Sequence, residues 1–384
     1  MSTDKSQTTE KWCKVLVNIC RFLLAFTFLF SGFIKANDPL GTVYKFQDYF
    51  AAWNIMDIPQ LFVLIMAFAL ALLEFAMGVY LLFGMRRKIV SRLTVGFMAV
   101  MTLLTVYIFI ANPVSDCGCF GDAIILSNGQ TLLKNIILMA AAIVVMIWWD
   151  KQFRLISPKV YWIVSTISLL GLLLYGADCV YSLPKIDFRP FKIGTDLRQL
   201  IAVPEDERPQ FEVTIIYERD GEILELGIDD DDPDSTWTYV ETRRNQISKA
   251  GSQLVADFYI EEDGENITDD ILADEGFIFF LTAPSLEDAD DSMMDRYNDL
   301  YDYSQQQNME FYCLTASSPE QCHIWTDYTG AEYIFYRADD RTLKTMVRAN
   351  PGLMMLKNGI VLKKWSNWNF PTIEEVQEIV EANK

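Results

Sequence analysis

Histidine is nearly absent from this chain of 384 residues, which contains a single one, His323. Of the seven cysteines, only Cys117 and Cys119 stand one residue apart. Two cysteines supply half of the four ligands that a tetrahedral zinc site needs, and the histidine is distant from them in sequence. The composition therefore disfavours a zinc centre, and we predict no metal-binding residues.

Basic residues are scarce in the second half of the chain. Residues 201–384 contain 14 Lys or Arg against 40 Asp or Glu, a net charge of −26, whereas residues 1–200 contain 18 against 12, a net charge of +6. Nucleic-acid binding needs a basic face that contacts phosphates, so we expect no nucleic-acid partner. An acidic half of this kind is typical of a solvated domain held near a membrane surface.

Long apolar runs are confined to the first half, which we predict to be a membrane domain over residues 1–180. A bilayer core of about 30 Å takes roughly 20 helical residues. The first run has no clear small-residue cleavage site, so it is expected to be a retained span and not a signal peptide. No internal repeat is visible, which disfavours a transporter. The predicted spans are about 15–33, 61–83, 93–110, 132–149 and 160–177.

Basic residues around these spans predict the orientation of the protein. They collect before the first span, between the second and third, and between the fourth and fifth, and such segments face the cytoplasm. We therefore expect a multi-pass protein of the bacterial inner membrane, in contact with lipid, with a cytoplasmic N-terminus and a periplasmic chain after about residue 180. Five cysteines then face an oxidising compartment, where disulfides persist: Cys117, Cys119, Cys179, Cys313 and Cys322.

Two ionisable residues within the predicted spans are candidates for function, because burying a charge in a membrane is costly. Arg21 lies about two turns into the first span and Glu74 near the middle of the second. We expect them to meet as a structural ion pair, with a proton or quinone site as the alternative. Lys134, at the outer end of the fourth span, is expected to extend towards the interface. Cys13 and Cys20 are predicted to be small packing residues.

The segment Cys117-Gly118-Cys119 is the strongest candidate for chemistry. A thiolate attacks a disulfide through a mixed intermediate, and a second nearby thiol resolves it. Asp116 and Asp122 should raise the pKa values of the thiols, and Lys134 could compensate. The alternatives are a static disulfide that staples the loop and, less favoured, a metal site. Cys179 is expected on the same side of the membrane, either as an acceptor of the bond or as an idle cysteine.

Four segments of the first half form a recognisable pattern: Arg21–Ala25, Ser31–Lys35 with Asp38-Pro39, Glu74 leading to Gly84–Arg87, and Cys117–Asp122. Together they resemble the DoxX/MauE-like family of four-helix, redox-associated membrane proteins. The resemblance covers about residues 12–150, and its most specific part is Cys117–Asp122. It implies a role in disulfide formation in exported partners or in quinone-linked sulfur oxidation, with quinone as the candidate cofactor.

The second half alternates strand and helix patterns, which indicates an α/β domain. Residues 181–210 are predicted to be a linker, 211–250 a β-hairpin lead-in, and 251–384 the α/β domain. An Asn358-Gly359 step predicts a tight hairpin near the end. The acidic run Asp229–Asp234 lacks the spacing and central glycine of a calcium loop, so a solvated turn is expected.

The pattern of residues 250–384 resembles an exported thioredoxin-like domain, through Ala256–Tyr259, Asp263-Gly264, Ile267-Thr268 and Asn350–Leu356. The resemblance implies a cis peptide at Pro351 and a partner-binding edge at Pro351 and Gly352. The family's Cys-x-x-Cys position, however, corresponds to 282–288, which contains no cysteine. The domain is therefore not expected to act as a thiol enzyme. Cys313 and Cys322 are expected to be a buried or structural pair, with a relocated redox pair as the alternative, and His323 is expected to be a surface residue.

The predicted architecture is a helical transmembrane bundle, with four DoxX/MauE-like helices and a fifth span, followed by a thioredoxin-like domain. Its expected function is that of an accessory in extracytoplasmic thiol–disulfide or quinone-linked redox chemistry, with an exported protein as substrate or partner. The alternative is a non-catalytic membrane-anchored binding or assembly scaffold with a structural Cys117–Cys119 disulfide. Whether the chain is itself an enzyme is left open by the sequence.

Overall fold

The structure is a computed structural model of the full chain, and it describes residues 2–55, 58–114, 117–201, 211–219, 222–227, 237–246, 258–262 and 264–384. The chain divides into two compact units, Met1–Arg189 and Pro190–Lys384. Each is described by itself.

The first unit is helical, as expected for a membrane domain. Within the described residues, five helices are long and apolar enough to span a bilayer, which confirms the predicted number. The helices are α1 (Ser2–Asn37), α2 (Pro39–Ala52), α3 (Gln60–Phe83), α4 (Arg87–Ala111), α5 (Asn128–Ile147) and α6 (Tyr161–Ser182). Helix α2 is short and precedes the second span.

Helices α1 and α3 pack closely because glycines face the contact on both sides. A Cβ atom at Gly32 of α1 would lie 2.7 Å from the Ala71 carbonyl oxygen of α3, and a Cβ at Gly78 would lie 2.7 Å from the Leu29 amide nitrogen. Small residues let transmembrane helices approach until their backbones touch. This contact sets the register of α1 against α3, with Gly32 level with Ala71 and Phe75.

Helix α1 extends four residues beyond the predicted span, to Asn37. The predicted span ended at residue 33, which left Lys35 outside the helix. Lys35 instead lies on the last turn of α1 and is buried. A second short helix begins at Pro39, with Asp38 as the cap that accepts the Gly41 amide at 2.8 Å. The position of Lys35 is important for the site described below.

The second unit contains two β-sheets among its described residues. The first is antiparallel with the order β2-β1-β3, formed by β1 (Phe211–Arg219), β2 (Glu222–Gly227) and β3 (Thr238–Gln246). This sheet includes the predicted hairpin, strands β1 and β2, and has β3 as a third strand. A short helix, α7 (Leu197–Ile201), precedes it within the predicted linker. The turn at Asp220-Gly221 and the acidic run Asp229–Asp234 lie outside the described residues.

The larger sheet has the strand order β10-β9-β6-β7-β8-β4-β5. Strands β6, β7 and β8 are parallel, whereas β9 is antiparallel to β6 and β10 antiparallel to β9. The strands are β4 (Ile260–Glu262), β5 (Glu265–Asn266), β6 (Phe277–Ala283), β7 (Glu310–Thr315), β8 (Phe335–Ala338), β9 (Gly352–Lys357) and β10 (Ile360–Ser366).

Helices alternate with these strands and cover the sheet. They are α8 (Thr268–Ala273), α9 (Met294–Gln306), α10 (Pro319–Thr329), α11 (Asp340–Met346) and α12 (Ile373–Ala382). The buried core between helices and sheet is built around Phe279, Tyr297 and Trp365. The parallel β6–β7 pair, joined by α9 and flanked by the antiparallel β9–β10 hairpin, is the arrangement expected of a thioredoxin-like domain. The predicted fold class is therefore confirmed.

Two local predictions for this domain are also confirmed. The β9–β10 hairpin turns at Asn358 and Gly359, both with positive φ (51° and 70°), as a two-residue hairpin turn requires. The Asn350–Pro351 peptide bond is cis.

Candidate functional site: the Cys117–Cys119 loop

The two cysteines lie in the loop that joins α4 to α5. Their sulfur atoms are 2.8 Å apart, and both are free thiols, like the other described cysteines. Gly118 between them has φ of +66° and Gly121 has φ of +50°, a backbone region that disfavours residues with a side chain. The loop thus folds back on itself at the two glycines. A shift of less than about 1 Å would bring the sulfurs to disulfide bonding distance.

Side chains of α1 and α2 hold the loop by its backbone carbonyl groups. The Cys119 carbonyl accepts hydrogen bonds from the Ser31 hydroxyl (2.7 Å) and the Lys35 ammonium (2.9 Å). The Cys117 carbonyl accepts one from the Tyr49 hydroxyl at 3.2 Å. Ser31 and Lys35 are four residues apart, so they share one face of α1. The cysteines are therefore fixed against the helical bundle by their backbone, and no disulfide joins their sulfur atoms.

Lys35 also forms a buried ion pair with Glu74, the acidic residue within α3. Its ammonium lies 2.8 Å from the Glu74 carboxylate and 2.8 Å from the Ser31 hydroxyl. The two charged side chains are 5% and 4% exposed. A buried charge is tolerated only when it is paired and hydrogen-bonded, and Lys35 has three oxygen partners. The site thus contains a charged group directly beneath the second cysteine.

The predicted Arg21–Glu74 pair is wrong. Arg21 contacts the Phe153 carbonyl and lies beside Gly84, at the opposite end of α3 from the cysteine loop. The register that Gly32 and Gly78 impose puts Glu74 level with the last turns of α1, where Lys35 stands. Arg21 and Lys35 are 14 residues apart, about 21 Å along a helix, so they cannot both reach Glu74.

Lys134, on the first turns of α5, lies above the Phe120 ring, with its ammonium nitrogen 4.2 Å from the ring centroid. Phe120 in turn packs edge-on against Phe30 of α1, with ring centroids 5.4 Å apart. A cation over an aromatic face is electrostatically favourable. The ring therefore holds Lys134 beside the loop, where its positive charge acts on both thiols.

The surroundings of the two thiols shift their pKa values in opposite directions. A hydrogen bond from the Cys117 thiol lowers the pKa of Cys119 below that of an ordinary thiol, and the charges of Lys134 and Lys35 lower it further. Burial and the Glu74 carboxylate oppose this effect. The pKa of Cys117 is raised, first because its thiol hydrogen-bonds Cys119 and then because it is buried. Cys119 is thus the thiolate of the pair and Cys117 its hydrogen-bond donor.

A small cavity opens beside the two cysteines. Besides the cysteines and Gly118, it is lined by Phe120, Ile124, Leu126 and Thr131. Among the described residues, no group of three or more His, Cys, Asp or Glu side chains is arranged to hold a metal ion. The arrangement offers a thiolate and a neighbouring thiol, which are the elements of thiol–disulfide exchange.

The remaining predicted residue of the membrane domain, Cys179, is buried on α6. One turn before it, Tyr175 donates a hydrogen bond to Asn37 at the end of α1 (2.8 Å). The structure gives Cys179 no bond to another cysteine. Its role as an acceptor of the bond remains a prediction. Asp116 lies outside the described residues.

In thioredoxin-like proteins the Cys-x-x-Cys motif follows the strand that corresponds to β6, which ends here at Ala283. This chain has no cysteine over residues 282–288. Cys313 is buried on β7 and Cys322 is half-buried on α10, and burial raises the pKa of both thiols. Neither has the electropositive surroundings of a reactive thiol. His323 is exposed, as predicted.

Pro351 and Gly352, the predicted partner-binding residues, are buried. The carbonyl group of Asn350 accepts a hydrogen bond from the Asp290 amide (2.9 Å), and the Asn350 side chain donates one to the Ser285 carbonyl (2.7 Å). The segment between β6 and α9 thus covers this edge. Partner binding there remains a prediction, and it would require residues 284–293 to move.

Comparison with protein families identifies the membrane part of the chain. The family described as "Methylamine utilisation protein MauE" matches residues 13–148, which include α1 from residue 13 onwards, the cysteine loop and α5. Residues 13–148 are a MauE-family domain. The MauE half of the predicted resemblance is confirmed, whereas its DoxX half remains a prediction. The chain is accordingly a multi-pass membrane protein.

Comparison with curated proteins finds no match for this chain. Two solved structures are similar to parts of it. A candidate protein disulfide isomerase from Bacteroides thetaiotaomicron is 14% identical, over 33% of this chain and 83% of its own, with a TM-score of 0.25. A mitochondrial 2-Cys peroxiredoxin from Plasmodium falciparum is 11% identical, over 46% and 92%, with a TM-score of 0.23. The thioredoxin-like assignment of the second unit rests on its strand order.

Sequence reasoning missed Ser31, Lys35 and Tyr49 as members of the site. A signal for two of them was present, because the Ser31–Lys35 spacing places a hydroxyl and an ammonium on one helical face. The predicted end of the first span at residue 33 concealed it. Tyr49 had no signal, since its contact depends on how α2 folds back beside the loop.

Proposed function

We propose that the Cys117–Cys119 loop is a dithiol–disulfide centre, and that this redox-associated membrane protein exchanges electrons with an exported protein partner. The observation that carries the proposal is the 2.8 Å approach of the two sulfur atoms beside the buried Lys35–Glu74 pair. The MauE-family match and the thioredoxin-like second domain support the same chemistry. We place the protein in the bacterial inner membrane, with its basic helix ends in the cytoplasm and the loop in the periplasm.

The exchange balances as follows. A thiolate of the reduced partner attacks the Cys117 sulfur of the disulfide form, the Cys117–Cys119 bond breaks, and its electron pair leaves on Cys119. The lower pKa of Cys119 makes it the better leaving group. A second thiolate of the partner then attacks the partner's own first sulfur and releases Cys117. Two electrons have passed from the partner, which now carries a disulfide, to the pair.

Reoxidation of the pair requires a two-electron acceptor. Quinone is the acceptor that the predicted resemblance implies, and the apolar side chains at the cavity, Phe120, Ile124 and Leu126, are compatible with a lipid-soluble molecule. The two electrons of the dithiol would reduce the acceptor, and the two thiol protons would be released. Lys134 and Lys35 would stabilise the Cys119 thiolate from which the first electron pair is withdrawn.

The thioredoxin-like domain is proposed to bind the partner and not to carry out exchange itself, because the position of the family's Cys-x-x-Cys has no thiol. Its edge at Pro351 and Gly352 could align an extended segment of the partner by main-chain hydrogen bonds. This step would require release of the Asp290 amide from the Asn350 carbonyl.

One observation favours a second candidate function, a non-catalytic assembly scaffold. Ser31, Lys35 and Tyr49 all bind loop carbonyl groups, which anchors the loop as a structural staple would. In this alternative the cysteines form a permanent disulfide, and the acidic second half recruits a partner without electron transfer.

Trapping of a mixed disulfide separates the two candidates. In Cys119→Ser, the remaining Cys117 can form the bond to a partner but cannot resolve it, so a Cys117-linked adduct should accumulate in membranes and disappear on reduction. Cys117→Ser serves as the matched variant, and Cys322→Ser as the control outside the loop. Absence of any adduct from both loop variants, with the wild-type pair permanently oxidised, would favour the scaffold.

A further inference from the structure

Arg21 is a buried cation that the proposed redox centre does not use. It lies on α1 at the end of the bundle away from the cysteine loop, and its side chain is 0% exposed. Among the described residues, its hydrogen bond goes to the Phe153 carbonyl. Burying an unpaired charge is costly, so a position of this kind calls for a counterion.

The unused part of Arg21 is one edge of its guanidinium group. Nη1 donates to Phe153, whereas Nε and Nη2 have no hydrogen-bond partner in the part of the chain that the structure describes. These two N–H groups point the same way from the planar group and form the fork that binds a carboxylate or a phosphate through two parallel bonds. The free edge therefore has the geometry of a bidentate anion site.

Around Arg21, the described residues supply further positive charge, and none of them forms an ion pair with it. Arg87 is near enough to interact electrostatically with it, and donates to the carbonyl groups of Asp150 and Gln152. Arg154 lies beside Gly84, the residue that Arg21 contacts. None of the ion pairs found among the described residues includes Arg21. The described residues thus leave the Arg21 charge without a counterion.

Two aromatic rings enclose the guanidinium. Its carbon lies 4.6 Å from the centroid of Phe22 and 4.3 Å from that of Phe153. Phe153 is 46% exposed, so it is the outer cover of the arginine. An anion would reach the free edge by displacing this ring. Both rings carry apolar surface, which suits a ligand with an apolar body beside its charged group.

We propose that Arg21 binds the phosphate group of an anionic phospholipid at the basic end of the helical bundle. A membrane-embedded arginine meets lipid phosphate at the level where its helix enters the headgroup region, and basic sites between transmembrane helices bind such headgroups. The acyl chains would lie along the apolar helix surface, whereas a free inorganic phosphate would leave those contacts unmade. The headgroup completes the bonds of Nε and Nη2.

The test uses the full-length protein, delipidated in detergent micelles and titrated with phosphatidylglycerol or phosphatidylcholine, with bound lipid counted by native mass spectrometry. One phosphatidylglycerol should bind in clear preference to phosphatidylcholine. Arg21→Gln should weaken that binding by about tenfold or more, because a charge-assisted bidentate contact is lost. Arg21→Lys should weaken it less, because it keeps the charge and loses only the fork.

Arg92→Gln is the matched control, since Arg92 is an exposed arginine near the start of α4, the helix that begins at Arg87. It removes one positive charge without touching the buried site and should change binding by less than about threefold, as a screened surface charge does. If Arg21→Gln fails to fold, the wild-type protein still provides a test. The bound lipid should survive a wash in concentrated salt, because a buried contact is poorly screened.

Three results would overturn the proposal. They are equal binding of the two lipids by the wild-type protein, an Arg21→Gln variant that keeps the wild-type preference, and complete loss of the lipid in the salt wash. Inorganic phosphate is titrated in a parallel arm. Arg21-dependent binding of inorganic phosphate that displaces the lipid would assign the anion site to a soluble phosphate instead. The cysteine trapping experiment is independent of all these outcomes.

Discussion

Removal of the Lys35 ammonium is the perturbation whose effect follows most directly from the structure. In Lys35→Met, the Glu74 carboxylate, 4% exposed, loses its ion-pair partner and remains in the membrane core. Removing one partner of a buried pair typically costs about 3–5 kcal/mol in the free energy of unfolding. The Ser31 hydroxyl and the Cys119 carbonyl also lose their contact with the ammonium. The loss of stability should therefore be large.

A double-mutant cycle measures the coupling of this pair. The double variant Lys35→Met/Glu74→Leu removes both charges and should be more stable than Lys35→Met alone by at least about 1 kcal/mol. Unfolding would be followed in detergent micelles by circular dichroism. The control is Lys185→Gln, which breaks the exposed Lys185–Asp178 pair (44% and 53% exposed) and should destabilise the protein far less than Lys35→Met, because exposed pairs contribute little. A Lys35→Met variant as stable as this control would refute the reasoning.

Three further predictions follow from the site and the packing. In the reduced wild-type protein, iodoacetamide should modify Cys119 at a lower pH than Cys322. A thiol reacts as its thiolate, which exists above the pKa, and the pKa is lowered for Cys119 and raised for Cys322. Peptide mass spectrometry measures the modification of each cysteine, and the reverse order would contradict the prediction. Gly32→Ala should lower the melting temperature, because the added Cβ would push α1 away from α3. Gly96→Ala is the control and should not lower it, because a Cβ there meets nothing within 4 Å. Equal melting temperatures of the two variants would contradict the close contact. Gly352→Ala should destabilise the second unit by about 1–3 kcal/mol, because its Cβ would overlap the Val347 side chain. Chemical denaturation measures the change, and an unchanged free energy of unfolding would contradict the close contact.

The parts of the fold that the sequence predicted are those carried by local pattern. The length of each apolar run fixed the number of spans, and the Asn358-Gly359 step predicted the final hairpin. The pairing of charges could not be predicted in this way. Whether Glu74 meets Arg21 or Lys35 depends on the register between α1 and α3, which is decided by the close contact at Gly32 and Gly78.

The candidate site shows the same division. Cys117 and Cys119 were visible as a motif, and the effect of Lys134 on their pKa followed from its position at the start of the fourth span. Tyr49 and Lys35 were not recognised because their contacts join the loop to helices distant in sequence, by 68 and 84 residues. The covered edge at Pro351 depends in the same way on a tertiary contact, between the Asp290 amide and the Asn350 carbonyl.

The redox state of the loop in native membranes tests the central claim most directly. Membranes are incubated in glutathione buffers of increasing reducing strength, free thiols are then blocked with a mass-adding maleimide, and Cys117→Ser and Cys119→Ser identify the loop signal. We predict that the pair passes reversibly between disulfide and dithiol within the range of these buffers, with both cysteines changing together. A pair that stays fully oxidised, or fully reduced, across the whole range would contradict the account.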